Sequence, residues 1–426
     1  MSVTTNPSAY SLADFLIGES SNPLSPPDDY IRWKAAAEWA TSVYEPRLHG
    51  PATPRALFAM AGGAPAPCLN FASYNYLGLA RHPRCVAAAR EALLEYGTGN
   101  CGPPMLSGMT ELQGQLEREL NELLGTEATM VFSSGYGAAV GALSAILRKG
   151  DVAIADSRAH MSAVDGVKLS QARLVTFAHN DAGSLASCIE KHKKSRILVI
   201  VEGIYSVEGD FAPLAQLLEV TGHYGVPVYL DEAHSILCCG RRGGGVGEQF
   251  ASSKGAGLRL STFSKAFAGA GGAVSGDRET LEYMRFYANS YTFSATLPPA
   301  TLAALIAALH VAVEDSSLRD RLWENAAYFR TQLRTIGVNT GESASYIVPI
   351  IIGRDRRLLY ELCHAMRRRG LFLPPVDFPV VPEEGLRFRA TITAAHTREE
   401  MDEALNIIED TVVPALGKFR GNAGAA

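Results

Sequence analysis

Between residues 66 and 300 the chain alternates between two kinds of segment. Short apolar runs end in a polar residue or glycine, and stretches with helical spacing follow them. The runs Thr129–Phe132, Val152–Ala155, Leu174–Phe177, Ile197–Val201, Val226–Leu230, Leu258–Ser261 and Ala273–Ser275 are too short for helices and are predicted strands. Between the glycine-rich region near residue 100 and the first run, Glu111–Leu124 sets Leu112, Leu116, Leu120 and Leu123 on one helical face. Strands that alternate with helices predict an α/β domain with a large, mostly parallel sheet covered on both faces. Ligands in such sheets bind beyond the C-terminal ends of the strands. Residues that close each run are therefore the candidates for chemistry.

The flanks read differently. Residues 1–65 are rich in Ser, Pro and Ala and predict an N-terminal extension or arm. It contains one helix near Ile31–Val43, with loops at Pro23–Pro27 and Pro46–Pro54. Residues 66–305 form the expected large domain and 306–426 a smaller α+β C-terminal domain. The latter is read as a helical stretch over Ala300–Ile336, strands at Tyr346–Ile352 and Leu386–Ile392, and helices at Arg356–Arg369 and near Arg398–Val412. The tail from Gly417 is expected to fray. Arginines 354, 356, 357, 367, 368 and 369 are expected on the solvated face and ends of their helix.

A chain of 426 residues, 47% of them hydrophobic, can bury a core in more than one domain. Its net charge of −5 and lack of a basic run argue against a nucleic-acid partner. Seven cysteines form neither a C-x-x-C pair nor a zinc spacing, which predicts reduced thiols, no metal and a cytoplasmic location. The N-terminus does not read as a signal peptide. The longest apolar stretch, Ala300–Val313, contains His310 and reads as a core or dimer-interface helix, not an integral membrane segment.

Lys265 stands in Ser261-Thr-Phe-Ser-Lys-Ala-Phe-Ala-Gly-Ala-Gly-Gly272, between small hydroxyl residues and a Gly/Ala-rich stretch. Asp231 closes a strand thirty-four positions earlier, and His234 follows three residues after it. An amine and a carboxylate so placed suit pyridoxal phosphate (PLP). The lysine forms the Schiff base, and the aspartate keeps the pyridine nitrogen protonated so that the ring accepts electrons. His234 suits the ring hydroxyl or a substrate carboxylate. Ser133-Ser-Gly-Tyr-Gly137 opens a helix after a strand, where Gly135 and Tyr136 expose backbone N–H groups to a phosphate. Thr262 and Ser264 can donate to the same phosphate. His160, after the strand ending near Asp156, suits a ring stacked on the cofactor. Arg387 and Arg389 share one strand face, and one of them suits a carboxylate clamp. Each feature alone also admits a structural reading, such as a turn cap, a glycine-rich turn or edge-strand arginines.

As a set, the motifs resemble the α-oxoamine synthase family of fold-type I PLP-dependent transferases. The matching stretches are Ser73–Leu79, Gly97–Gly102, Leu106–Gly108, Ser134–Tyr136, Glu202–Asp210, Asp231–Ser235, Gly240–Gly243, Thr262–Lys265, Phe293–Pro299 and Ala394–Thr397. Phe263-Ser264 and Glu202–Asp210 lean towards serine palmitoyltransferase. The resemblance implies that Lys265 carries the cofactor and removes the Cα proton, that His160 stacks on the ring and that Asp231 holds the pyridine nitrogen. It places His234 and Ser206 near the ring hydroxyl, with Gly135, Tyr136, Thr262 and Ser264 at the phosphate. Ser294 reaches the phosphate of a neighbouring subunit, which implies a homodimer. Asn75 and Arg389 orient the amino-acid carboxylate.

The reaction implied is decarboxylative condensation of serine, alanine or glycine with an acyl thioester, on CoA or an acyl-carrier protein, to an α-amino ketone. His160, if protonated beside the carboxylate, would favour the transition state. Alternatives on the same fold are an amino-oxononanoate synthase-like or glycine acetyltransferase-like acyltransferase, or a non-catalytic subunit. Pro104, Gln113, Ala139 and Asp377 depart from the family's pattern and are expected around the substrate mouth.

Overall fold

The computed structural model describes residues 10–15, 22–59, 63–250 and 256–423. By contact they form two units. One comprises Tyr74–Ser206 and Asp210–Trp323. The other comprises residues up to Ser73, Val207–Gly209 and Glu324 onward.

The first unit holds a seven-stranded sheet. Its order is Ala128–Phe132, Gly272–Gly276, Ala256–Thr262, Val228–Asp231, Ile197–Glu202, Val152–Asp156, Arg173–Phe177. All seven expected strands are present. Gly272–Gly276 runs antiparallel to both neighbours, and the remaining pairs are parallel. Three strands close on a buried acid: Asp156, Glu202 and Asp231. The parallel register sets Glu202 directly opposite Asp231.

One face of the sheet packs on helices Gly135–Ile146 and Met161–Ser170. Met130, Phe132, Leu143, Ile200, Tyr229 and Leu260 lie in this apolar cluster. Gly272 must be small, because a Cβ there would stand 2.6 Å from Gly135 Cα. Glu111–Leu124 is a helix as expected, with Leu116, Leu120 and Leu123 buried. The apolar stretch after Pro298 is a largely buried helix, Pro299–Glu314, packed on Pro83–Tyr96. No single helix among the described residues is long and apolar enough to cross a membrane.

Two charged networks fix the strand ends from behind. Glu232, next to Asp231, accepts hydrogen bonds from Val246 N (2.9 Å), Gly247 N (3.1 Å) and Arg259 Nη2 (2.7 Å). Both members of this ion pair are buried. The backbone turns against Glu232 at Gly245 with φ of +81°, where a Cβ would stand 2.4 Å from Oε2. Asp156 accepts from Arg158 N (2.8 Å), Asn180 N (2.9 Å) and His179 Nδ1 (2.8 Å). His179 Nε2 lies 2.9 Å from Asp210 Oδ2. Burial alone would lower the His179 pKa, but hydrogen bonds to the two aspartates outweigh it and raise the value to about 10. The ring is an imidazolium donating from both nitrogens.

The second unit contains two small sheets. One orders Arg47–His49, Arg55–Ala59, Ala66–Asn70 and Leu371–Phe372. The other orders Ile347–Gly353, Leu386–Thr391 and Pro375–Val376. Arg47–His49 lies where a loop was expected. It is an edge strand exposed at every residue, so no burial alternation marks it. The expected N-terminal helix is two, Asp28–Ala36 and Glu38–Thr41, parted at Ala37. The C-terminal helix runs Arg398–Ala423, so the backbone from Gly417 to Ala423 is helical where fraying was expected, and positions 424–426 lie outside the described residues.

The six arginines are not all solvated. Arg356 Nε holds Asp377 Oδ1 and Oδ2 at 3.0 and 2.8 Å. Arg367 lies over the Phe372 ring at 4.8 Å, where burial lowers its pKa.

Removing the guanidinium in Arg259→Leu leaves Glu232 buried without its countercharge. It is expected to cost about 3–5 kcal/mol; urea denaturation measures this, and a loss under about 1 kcal/mol contradicts the role. The His179 pKa rises on folding from an unfolded value of about 6.5. Its contribution is therefore complete below that pH and is lost as pH rises towards about 10. Unfolding free energy measured across this window falls for the wild type, and His179→Gln lacks that component of the slope.

Candidate active site

Beyond the C-terminal ends of the central strands lies a cavity of about 380 Å³, within the size range of small-molecule sites. Gly135, Tyr136, His160, Asp231, His234, Thr262, Ser264 and Lys265 all line it. Asn75, Ser206 and Ser294 belong to the same unit but are not among its lining residues; Arg389 belongs to the other unit.

Part of the lining is a helix N-terminus. Gly135–Ile146 begins after Ser134, whose Oγ accepts from Gly137 N at 2.9 Å. The N–H groups of Gly135 and Tyr136 precede any intrahelical acceptor and carry the positive end of the dipole. A Cβ at Gly135 would stand 2.4 Å from Thr262 Oγ1, so glycine is what allows backbone and hydroxyl to converge here.

The cavity also has an ionic group, Asp231, Lys265 and Glu202. Burial raises the Asp231 pKa, opposed by Lys265 and by the Ala233 N–H, which donates to Oδ1 at 2.9 Å. Burial lowers the Lys265 pKa, opposed by Asp231 and Glu202. The amine is thus nearer neutrality than a surface lysine. Glu202 is the residue that sequence reasoning passed over within its own motif. It lines the cavity, is buried, and its Oε1 has no hydrogen-bond partner. Burial, then the Asp231 charge, push its pKa well above the usual carboxylate range. Its signal was the one that identified Asp231: an acid closing an apolar run. Ser133, Ser134 and Ser162 also line the cavity.

Both histidines have pKa values pushed below the usual imidazole range. His160 caps helix Met161–Ser170, its Nδ1 accepting from Ser162 N at 3.2 Å with Ser162 Oγ at 2.8 Å. Burial, then the Lys265 charge, lower its pKa against the pull of Asp231. This direction disfavours the protonated form entertained from the sequence. His234 Nδ1 meets Tyr76 OH at 2.7 Å, and burial holds its pKa well below normal. Tyr76, whose own pKa burial raises well above normal, remains a phenol.

These residues fit PLP. A glycine-lined helix terminus with two hydroxyls suits the phosphate, and Asp231 suits the pyridine nitrogen. Lys265 suits the aldehyde carbon, and an orphaned buried acid oxygen faces the group's binding space. No cluster of three metal-ligating side chains occurs among the described residues.

Two expected mouth residues lie elsewhere. Gln113 is fully buried in the core, with Nε2 3.2 Å from Glu117 Oε1. Ala139 is likewise buried in the apolar cluster. Asp377 is held by Arg356, by Tyr360 OH at 2.9 Å and by Phe378 N at 2.7 Å. On the strand Leu386–Thr391, burial lowers the Arg389 pKa to about 10.

The family model for aminotransferase class I and II matches residues 66–408. The chain is 35% identical to 8-amino-7-oxononanoate synthase of Thermoanaerobacter pseudethanolicus, over 89% of this chain and 96% of that one. It is 34% identical to serine palmitoyltransferase of Sphingobacterium spiritivorum, over 79% of this chain and 84% of that one. Among solved structures, serine palmitoyltransferase of S. paucimobilis with bound PLP and myriocin superposes with a TM-score of 0.86. The sequences there are 28% identical, and the match covers 92% of this chain and 98% of that one. The chain belongs to the aminotransferase class I and II family and, within it, to the α-oxoamine synthases, which are PLP-dependent acyltransferases.

Proposed function

We propose that this enzyme condenses a small amino acid with an acyl thioester, releasing the thiol and carbon dioxide and leaving an α-amino ketone. The amino acid is serine, alanine or glycine, and the thioester is carried on CoA or an acyl-carrier protein. The observation that carries this reading is one cavity lined by Lys265, Asp231 and Glu202 together with Gly135 and Tyr136 at a helix N-terminus. PLP bound there supplies an electron sink for charge developing at the amino-acid Cα.

The chain's own groups do the rest. Gly135 and Tyr136 N–H, with the Thr262 and Ser264 hydroxyls, bind the phosphate. Asp231 holds a proton on the pyridine nitrogen. Glu202, neutral through its raised pKa, lets Asp231 stay ionised without a second negative charge across the register. Lys265 Nζ anchors the cofactor and then takes the Cα proton; its depressed pKa keeps a fraction of the amine unprotonated for that step. His160 packs against the cofactor, and His234, oriented by Tyr76, donates towards the ring hydroxyl, as does Ser206. Asn75 and Arg389 hold the substrate carboxylate, which fixes the Cα bond that can break. Ser294 reaches the phosphate of a second copy in a homodimer.

Thiol and carbon dioxide released in equal amounts from an amino acid and an acyl thioester test the reaction. Transamination without thiol release contradicts it. Lys265→Ala is expected to lose about 10²–10⁴-fold or more in turnover while its far-ultraviolet dichroism and unfolding midpoint stay native; retained turnover removes the lysine from the chemistry. Arg389→Ala is expected to weaken amino-acid binding about 10- to 100-fold, the worth of a charged hydrogen-bonded pair, with far less effect on PLP affinity. Absorbance titrations with each ligand measure both, and an unchanged amino-acid affinity removes Arg389 from the site.

A further inference from the structure

Two segments of the sheet unit carry groups proposed to face PLP, and one histidine is bonded to both. The first is the turn that leaves Asp156 and reaches His160. Ala159 N donates to Asp156 O at 2.9 Å, and Arg158 N donates to Asp156 Oδ1 at 2.8 Å. The second begins at Glu202 and leads through Tyr205 to Ser206. It pairs with the returning chain at Asp210, Phe211 and Ala212. Tyr205 N donates to Asp210 O (3.1 Å), Ala212 N donates to Gly203 O (3.3 Å), and Ile204 and Phe211 form a β-bridge.

His179 joins these segments, with Nδ1 on Asp156 Oδ1 at 2.8 Å and Nε2 on Asp210 Oδ2 at 2.9 Å. Asn180 repeats the bridge. Its N–H donates to Asp156 Oδ2 at 2.9 Å, and its Nδ2 donates to Asp210 Oδ2 at 2.9 Å and to Phe211 O at 3.1 Å. Tyr205, fully buried, sets its ring edge-on to His179 at 4.5 Å.

The bridge carries charge as well as bonds. Burial would raise the Asp156 pKa, but the hydrogen bonds from His179, Asn180 N and Arg158 N outweigh it and lower the value. Asp210 Oδ1 has no hydrogen-bond partner, so compensation of that carboxylate falls on Oδ2, and thus on His179 and Asn180. The Asp156 charge also reaches the PLP cavity: it adds to the burial and the Asp231 charge that raise the Glu202 pKa. Without the imidazolium, Asp156 keeps only neutral donors, and its field falls less screened on the acids beside Lys265. His179 itself does not line the cavity. Any effect it has there passes through these two segments or through the Asp156 field.

We propose that His179 is a positioning residue of the condensation: by bridging Asp156 and Asp210 it sets where His160 and the Glu202-to-Ser206 segment stand towards PLP. For turnover the inference rests on the condensation reading above. For the bound cofactor it rests only on the fit of the cavity to PLP.

The test compares PLP-loaded wild type, His179→Gln and His179→Ala at a temperature where far-ultraviolet dichroism shows each to be folded. Glutamine keeps an N–H donor and loses the charge; alanine loses both. The readouts are the visible dichroism per bound PLP, and kcat and KM from thiol release. His179→Ala is expected to lower kcat about 10- to 100-fold, the cost of a small misplacement of the reacting groups, with little change in the KM for thioester. Its PLP dichroism is expected to fall in parallel, and His179→Gln is expected to recover part of both. Where alanine prevents folding, the glutamine variant alone is read, against the same expectation of lowered kcat and dichroism. PLP dichroism unchanged in the folded variants, whatever their loss of stability or kcat, overturns the positioning role and leaves His179 a purely structural cation. A wild type that binds PLP yet consumes no thioester overturns the condensation reading instead, and the dichroism still decides whether His179 sets the groups around PLP.

Discussion

Glu202 and Asp231 stand opposite each other on neighbouring parallel strands, both buried, with one lysine to answer them. Two ionised carboxylates at that spacing in a low-dielectric cavity repel, and the pair relieves this by keeping one proton. Burial and the neighbouring charge place that proton on Glu202, while the Ala233 N–H and Lys265 favour ionised Asp231. In the proposed function, this division would let Asp231 hold a protonated ring nitrogen while the amine of Lys265 stays reactive. The rest of the unit keeps the division in place. Glu232 and Arg259 lock the residue after Asp231, and the His179 imidazolium locks the turn that leads from Asp156 to His160.

The sheet was legible because all its strands except the edge strand Arg173–Phe177 are largely buried on both faces. Such strands read as continuous apolar runs, and each expected run became a strand. The lining of the strand-end cavity was legible for a related reason: its residues stand at run ends and small-residue turns, where spacing exposes them. Glu202 escaped because it closes its run as one more acid in a matched motif; only the strand register shows that it faces Asp231. His179 escaped because its partners, Asp156 and Asp210, come from separate segments, and no local spacing links them. The edge strand Arg47–His49 carries no burial pattern to read. Gln113 looked like a substrate-mouth position and is a core amide, because the face its helix presents is decided by packing and not by motif alignment.

The arginine-rich helix Arg356–Arg368 makes the same point about charge. A run of like charges is ordinarily a solvated face. Here Arg356 turns inward to neutralise Asp377, and Arg367 covers Phe372. Asp377, one of the departures from the family's pattern, is therefore neutralised within its own unit.

The most direct test is a visible-absorbance titration of the PLP-loaded protein with serine, alanine, glycine and threonine in turn. The account predicts a PLP band that shifts saturably with one of the first three, which identifies the amino acid. Failure to acquire that band at all would contradict the assignment of Lys265 and Asp231 as the PLP-holding pair.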